Sequence, residues 1–253
     1  MAYSTISKPS LYFNTKLYTG ANKSVTGVGF QPDWVWIKER DAGYHSLFDV
    51  LRGTTEVLST NVNAAGHSVS DSLTSFDSDG FTLGADSSNY VGGSSQATVS
   101  WSWKANGTGS ANTDGSTNST ISVSSTSGFS IVSYTGTGSN ATVGHGLGAS
   151  PDVVIIKKTN TAEDWLFQTS ALGYSSGYLV LNSNGASATN NGSLINSVSS
   201  TTLSIGTNSY VNSSGHTYIA YCFAEKKGFS KFGKYIGNGN NNGTFVYTGF
   251  KPA

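Results

Sequence analysis

The chain has 253 residues, balances 14 Lys plus Arg against 14 Asp plus Glu, and is only 11% charged. That composition argues against nucleic acid or an anionic membrane surface as the main partner. Phosphate binding draws on clustered Lys and Arg, and the longest basic run here is Lys226-Lys227. Cys222 is the single cysteine, so stability must come from packing rather than from an intrachain disulfide.

Residues 1–10 are polar and read as an N-terminal arm leading into the first strand at Lys8-Pro9-Ser10. No basic region with an apolar core follows Met1, and no run approaches about 18 apolar residues, so neither a signal peptide nor membrane insertion is expected. Strand-like alternation begins at Phe13–Tyr18, turns at Thr19-Gly20-Ala21-Asn22 and resumes at Val25–Val28. The next stretch, Gly29-Phe30-Gln31-Pro32-Asp33-Trp34-Val35-Trp36-Ile37-Lys38, places a Pro-Asp stop before β-branched and aromatic residues on both parities. It predicts a strand buried on both faces. Strands are also expected over His45–Val50 and Thr54–Ser59, the latter ending in Asn61-Val62-Asn63. Next come a hairpin around Asp77-Ser78-Asp79 and a closing strand, Ala97–Lys104, with Val99, Trp101 and Trp103 on one face.

Residues 106–127 are almost wholly Gly, Ser, Thr, Asn and Ala and read as a linker, with a short strand conceivable near Thr120–Ser124. The pattern then returns. Pro151-Asp152-Val153-Val154-Ile155-Ile156-Lys157 repeats the anchor strand, Leu166-Phe167-Gln168 falls opposite Leu47-Phe48-Asp49, and Asn182-Ser183-Asn184 repeats the Asn-rich ending. The prediction is an all-β chain of two tandem antiparallel β-sandwich repeats over 11–105 and 128–227. Residues 228–253 carry the start of a third, since Phe229-Ser230 and Gly249-Phe250-Lys251-Pro252 spell its first hairpin. That hairpin must lean on something. The expectation is that the chain continues beyond Ala253, or that Phe245 and Tyr247 bury against the second repeat or a neighbouring chain.

Chemistry-bearing residues are sparse. His45, His67, His145 and His216 have no second ligand at metal spacing, and no cofactor is expected. Asp77 and Asp79 are the nearest to a calcium loop, without its terminal Glu, and a turn-stabilising role is the plainer reading. A glycosidase pair among Glu39, Asp41 and Asp49 has no preserved counterpart, Asp49 falling opposite Gln168 and Glu39 opposite Lys158, so catalysis is not expected. Sugars are held by aromatic platforms beside polar groups, which makes Tyr44, His45, Arg52 and Tyr90 the glycan-binding candidates. Against that, Arg52-Gly53 fits an ion-paired turn, and Trp34, Trp36, Trp101 and Trp103 fit core or sheet-face packing.

The succession of Met1-Ala2-Tyr3, Tyr18-Thr19-Gly20, the Gly29–Lys38 stretch, Phe76-Asp77-Ser78-Asp79-Gly80-Phe81 and Trp101-Ser102-Trp103-Lys104-Ala105 resembles a repeat family of virion proteins. Its members come from tailed phages of marine bacteria, cyanophages included. The resemblance implies sandwiches of jelly-roll or lectin-like type and a structural protein of the particle surface, a tail fibre, appendage or capsid component, with other virion proteins as partners and homo-oligomers, trimers among them. A lectin-like module for a host-surface glycan is the alternative it allows. The location implied is the virion, after synthesis in the host cytoplasm.

Overall fold

In a computed structural model that describes residues 4–41, 43–93 and 95–252, the chain is all β, with a four-residue helix, Ser209–Asn212 (α1), and one 3-10 turn at Pro9–Leu11. The first half contains β1 (Phe13–Thr19), β2 (Lys23–Thr26), β3 (Trp34–Glu39), β4 (His45–Asp49), β5 (Gly53–Ser59), β6 (His67–Ser68), β7 (Leu73–Asp77), β8 (Gly80–Leu83) and β9 (Ala97–Trp103). The rest contains β10 (Ser110–Asn112), β11 (Ser119–Ser124), β12 (Phe129–Thr135), β13 (Ala141–Gly144), β14 (Val153–Lys158), β15 (Leu166–Thr169), β16 (Gly177–Val180), β17 (Ala188–Thr189), β18 (Ile195–Val198), β19 (Thr202–Ile205) and β20 (Thr217–Phe223).

Each half pairs a large sheet with a small one. The first large sheet runs β1-β9-β3-β4-β5-β6 beneath β2-β8-β7. The second runs β12-β20-β14-β15-β16-β17 beneath β13-β19-β18, with β11 and β10 added at its β12 edge. The two strand orders coincide one for one. Both anchor strands are central, β3 between β9 and β4 and β14 between β20 and β15, as apolar residues on both parities require.

The repeated motifs recur because each closes the same joint. Asp33 accepts from the backbone N–H groups of Ala105 (2.6 Å) and Gly107 (3.1 Å), and Asp152 from that of Glu225 (2.8 Å), tying the start of each anchor strand to the exit of the last strand. Asn61 Oδ1 accepts from His45 N and Asn182 Oδ1 from Trp165 N, which fixes where β4 and β15 begin. Tyr18 and Tyr134 each donate a phenolic hydrogen bond of 2.8 Å, to Val91 O and Val211 O. At Gly84 and Gly206 a Cβ would meet the backbone of Asp71 or Ser193 at 2.5 Å, so only glycine fits after β8 and β19.

Four features depart from the sequence reading. First, β3 pairs Trp36 with Leu47 while β14 pairs Ile155 with Phe167, so with Trp36 matched to Ile155 the counterpart of Leu47 is Phe167 and that of Asp49 is Thr169. The gap-free match to Leu166 and Gln168 is thus off by one, which on a two-residue period would put Leu166 on the wrong face. Second, residues 106–127 are not simply a linker. The short strand expected near Thr120–Ser124 is present as β11, and with β10 it extends the second large sheet, Ile121 is buried, and Ser116 and Thr142 exchange backbone-to-hydroxyl bonds of 2.8 and 2.9 Å. Third, residues 228–252 form no strand, and Phe245 and Tyr247 stand 86% and 78% exposed, so these two side chains do not dock on the second repeat as expected.

Fourth, the two sandwiches are not separate beads. The outer faces of the large sheets meet, so that Trp34, Leu47 and Leu58 of one half pack with Phe129, Ile131, Ile155, Trp165 and Tyr221 of the other. The layer order is small, large, large, small, with a core in each sandwich and a third between them. Lys157 lies at this junction, fully buried, its Nζ donating to Glu163 O (2.6 Å) and Asn63 O (3.1 Å). Burial lowers its pKa to about 8, against the partial opposing pull of Glu163. The folded chain therefore releases this proton near pH 8, whereas the unfolded chain holds it to about 10.4, so stability rises with pH across that window. Relative to Lys157→Met, the wild type is expected to gain about 2 kcal/mol between those limits after solvent screening. Urea midpoints of both proteins at several pH values measure it, and parallel pH profiles would refute it.

Candidate functional site

The face of the first large sheet that turns toward the second half is set by the register across β1, β9 and β3. Phe13, Trp103 and Trp34 form one row, Thr15, Trp101 and Trp36 the next, and Leu17, Val99 and Lys38 the third. Only part of this face is covered. Trp34 is fully buried, but Trp36, Trp101, Trp103 and Phe13 are half-buried and Leu17 is 72% exposed. A cleft of about 460 Å³ opens here, with Phe13, Trp34, Trp103, Phe129, Phe223 and Phe232 among its walls. It adjoins a hollow of about 510 Å³ lined by Phe13, Trp36, Trp101 and Trp103, with Lys38 and His45 also in its lining. Together they make an apolar trough along the seam between the halves. The ring contacts are close: Phe13 to Trp103 at 4.6 Å, Trp34 to Trp103 at 4.4 Å and Phe129 to Phe223 at 4.9 Å between centroids.

The four glycan-binding candidates divide among three places. Tyr44 and Tyr90 come together as a stacked pair (4.7 Å, 20°), and His67, which the sequence reading did not single out for this role, completes the group through Nε2 to the Tyr90 hydroxyl at 2.9 Å. Tyr90 is held by the buried Asp86 carboxylate, which accepts from the N–H groups of Tyr90 (2.7 Å), Val91 (2.6 Å) and Gly93 (3.0 Å). Burial and then the neighbouring Tyr44 raise the Tyr90 pKa, so the phenol stays protonated.

His45 instead lines the trough, where burial and then Lys38 lower its pKa and favour the neutral ring. Arg52 is not available to a ligand. Its Nε donates to Asp49 (2.6 Å), and its two terminal nitrogens donate to Glu56 O (2.7 Å) and Leu47 O (3.0 Å). The ion-paired turn is what the structure contains, and Asp49 also accepts from Tyr221 of the other half at 2.7 Å.

Asp77 accepts from the Ser75 and Thr82 hydroxyls, both at 2.7 Å, and Asp79 from the N–H groups of Gly27 (3.0 Å) and Gly29 (2.6 Å). Those backbone bonds, Gly29 first, lower the Asp79 pKa. Each carboxylate is occupied in holding a turn. Among the described residues no group of three or more His, Cys, Asp or Glu side chains is placed to hold a metal ion. Of the carboxylates considered for catalysis, Asp49 is buried in the Arg52 network and Glu39 is buried with its pKa raised, chiefly by desolvation and then by Asp86.

Fold and surface thus define a chain of two fused antiparallel sandwiches with an aromatic trough on the seam. It belongs to DUF7483, a family described as a domain of unknown function, which it matches over residues 8–253. No curated protein and no solved structure matches the chain.

Proposed function

We propose that this chain is a non-catalytic structural protein of the surface of a tailed-phage particle, a tail fibre, appendage or capsid-surface component. The observation that carries the reading is the uncovered aromatic trough on an otherwise neutral surface rich in hydroxyl and amide groups, because a contiguous apolar patch on such a surface calls for a neighbouring chain. The resemblance of the repeat motifs to phage virion proteins supplies the setting. Mass spectrometry of gradient-purified particles is expected to find the protein at structural abundance. Finding it only in the host lysate would remove the proposal.

A second reading, a host-glycan-binding module on the same particle, is favoured by one feature, the Tyr44–Tyr90 stack with His67 beside it. Tyr rings present a flat apolar face and a polar hydroxyl, the combination that a pyranose ring uses. If this reading holds, wild-type protein binds a subset of a glycan array. Tyr44→Ala then weakens that binding at least about tenfold with an unchanged melting temperature. A blank array would eliminate it.

A further inference from the structure

Eight large apolar side chains stand exposed among the described residues, and five of them, Tyr235, Ile236, Phe245, Val246 and Tyr247, fall in one stretch. That stretch leaves the body at Phe232 and returns at Phe250, both of which line the cleft, so residues 233–249 form an arm tethered at both ends to the trough. Its two limbs face each other, with Thr244 Oγ1 donating to Ile236 O at 2.7 Å and Asn238 Nδ2 to Asn242 O at 2.7 Å across a Gly/Asn-rich tip. No strand pairing closes it, and between Lys234 and Lys251 it carries no charge. Such an arm keeps strand-forming sequence and apolar side chains in water, an arrangement that binding to another surface relieves.

The chain offers a matching surface. β1 is the edge strand of the first large sheet, with Leu17 exposed on it and the Trp36–Trp101 hollow on the same face. We propose that the arm of one chain lies along the β1 edge and over the Trp36–Trp101 shelf of a second copy, and that the exchange is reciprocal. Cleft and hollow share Phe13, Trp36 and Trp103, so the root of each arm sits beside the shelf that its partner's arm would cover. A two-fold axis near Phe13 then satisfies both contacts at once and closes the assembly as a dimer instead of propagating it. Backbone pairing along β1 supplies register, and the aromatic shelf supplies apolar burial, the division of labour seen when a peptide adds to a sheet edge. Burying the three exposed rings of an arm, at roughly 150 Å² or more each, supplies about half of the roughly 800 Å² per partner that a stable interface buries, and Ile236, Val246 and the shelf that receives the other arm add to it.

This deepens the assembly reading above and rests on it for its biological setting. The test is light scattering on the size-excluded full chain up to about 200 µM, comparing wild type with an arm variant, Phe245→Ser, and an edge variant, Leu17→Glu. Both positions are exposed in the single chain, so neither change disturbs the fold, and melting temperatures verify this. Wild type is expected to run as a dimer and each variant to associate at least about tenfold more weakly. An equimolar mixture of the two variants recovers a heterodimer through its one intact arm and shelf, which a contact within a single chain would not produce. A wild-type monomer at the highest concentration, a dimer indifferent to both substitutions, or no recovery on mixing would each overturn the proposal. A protein that is monomeric alone yet abundant in purified particles would sink this inference and leave the particle reading standing.

Discussion

Asp49→Ala is expected to destabilise the protein by about 3–5 kcal/mol, the cost typical of breaking a buried ion pair from one side. The carboxylate is fully buried and receives four donors. Oδ1 takes the N–H groups of Leu51 (3.1 Å) and Arg52 (3.0 Å), and Oδ2 takes Arg52 Nε (2.6 Å) and the Tyr221 hydroxyl (2.7 Å). Removing it strands a guanidinium that has little access to water and orphans a phenol buried in the other half. Asp49→Asn should cost nearly as much, because an amide with its oxygen kept on the turn points its NH₂ at the Arg52 donor. Tyr221→Phe removes only the bond that this carboxylate receives from the other half and is expected to cost about 1.5–3 kcal/mol, as for other bonds to charged groups. Urea midpoints at constant m-value measure all three. An Asp49→Ala protein within about 1 kcal/mol of wild type would show that the network contributes little net stability.

The sequence made the strands legible where alternation is strict. Val35 and Ile37 enter the first sandwich core while Trp34 and Trp36 face the seam, and Asp77-Ser78-Asp79 turns the β7–β8 hairpin as its composition demands. What it could not show was where cover comes from. Apolar residues on both parities of β3 are explained equally well by a sheet inside one sandwich and by a sheet shared between a sandwich and a second body. Only the long-range docking of Trp34 on Tyr221 and Phe129 decides between them. β11 falls where a short strand was expected near Thr120–Ser124, but β10 and the docking of residues 106–118 escaped for a different reason. The segment's cohesion comes from hydroxyls bonded to backbone, such as Ser119 Oγ to Gly144 O at 2.9 Å and Ser122 Oγ accepting from Asn106 N at 2.9 Å, and hydrophobic periodicity does not register such bonds.

The candidate site was legible only in part. Tyr44 and Tyr90 lie in loops 46 residues apart in sequence that the fold brings into contact, and choosing them rested on residue type alone. His67 carried no signal of its own. The tryptophans did carry one, which reading them as core or sheet-face packing left unused. Where the first half has Trp34 and Trp36, the second has Val153 and Ile155 at the same sheet positions, and all four face the seam. Aliphatic residues suffice for the covered strand of the second sheet. Rings of that size on the first sheet overrun the cover available, and the surplus becomes the trough.

Trp34→Ala is the substitution expected to separate the halves. Trp34 is among the largest fully buried side chains, and its ring lies 4.4 Å from Trp103 in its own sheet and 4.9 and 5.5 Å from Tyr221 and Phe129 across the seam. Truncation at such a site costs about 3–5 kcal/mol in lost burial and residual cavity. The cavity would open into the cleft that Trp34 already lines, whose largely apolar walls offer water few partners, so the lost burial is not recovered by hydration. The cost falls on the seam rather than on either sandwich core. The wild type is therefore expected to unfold in one cooperative step, and Trp34→Ala in two, with the first half melting ahead of the second. Trp34→Phe supplies the control. The indole N–H has no partner among the described residues, so removing that orphan donor offsets part of the lost volume, and the expected cost is only about 1–2 kcal/mol. Calorimetry distinguishes the outcomes. A single Trp34→Ala transition displaced by less than about 5 °C would mean that the seam is not what couples the two sandwiches.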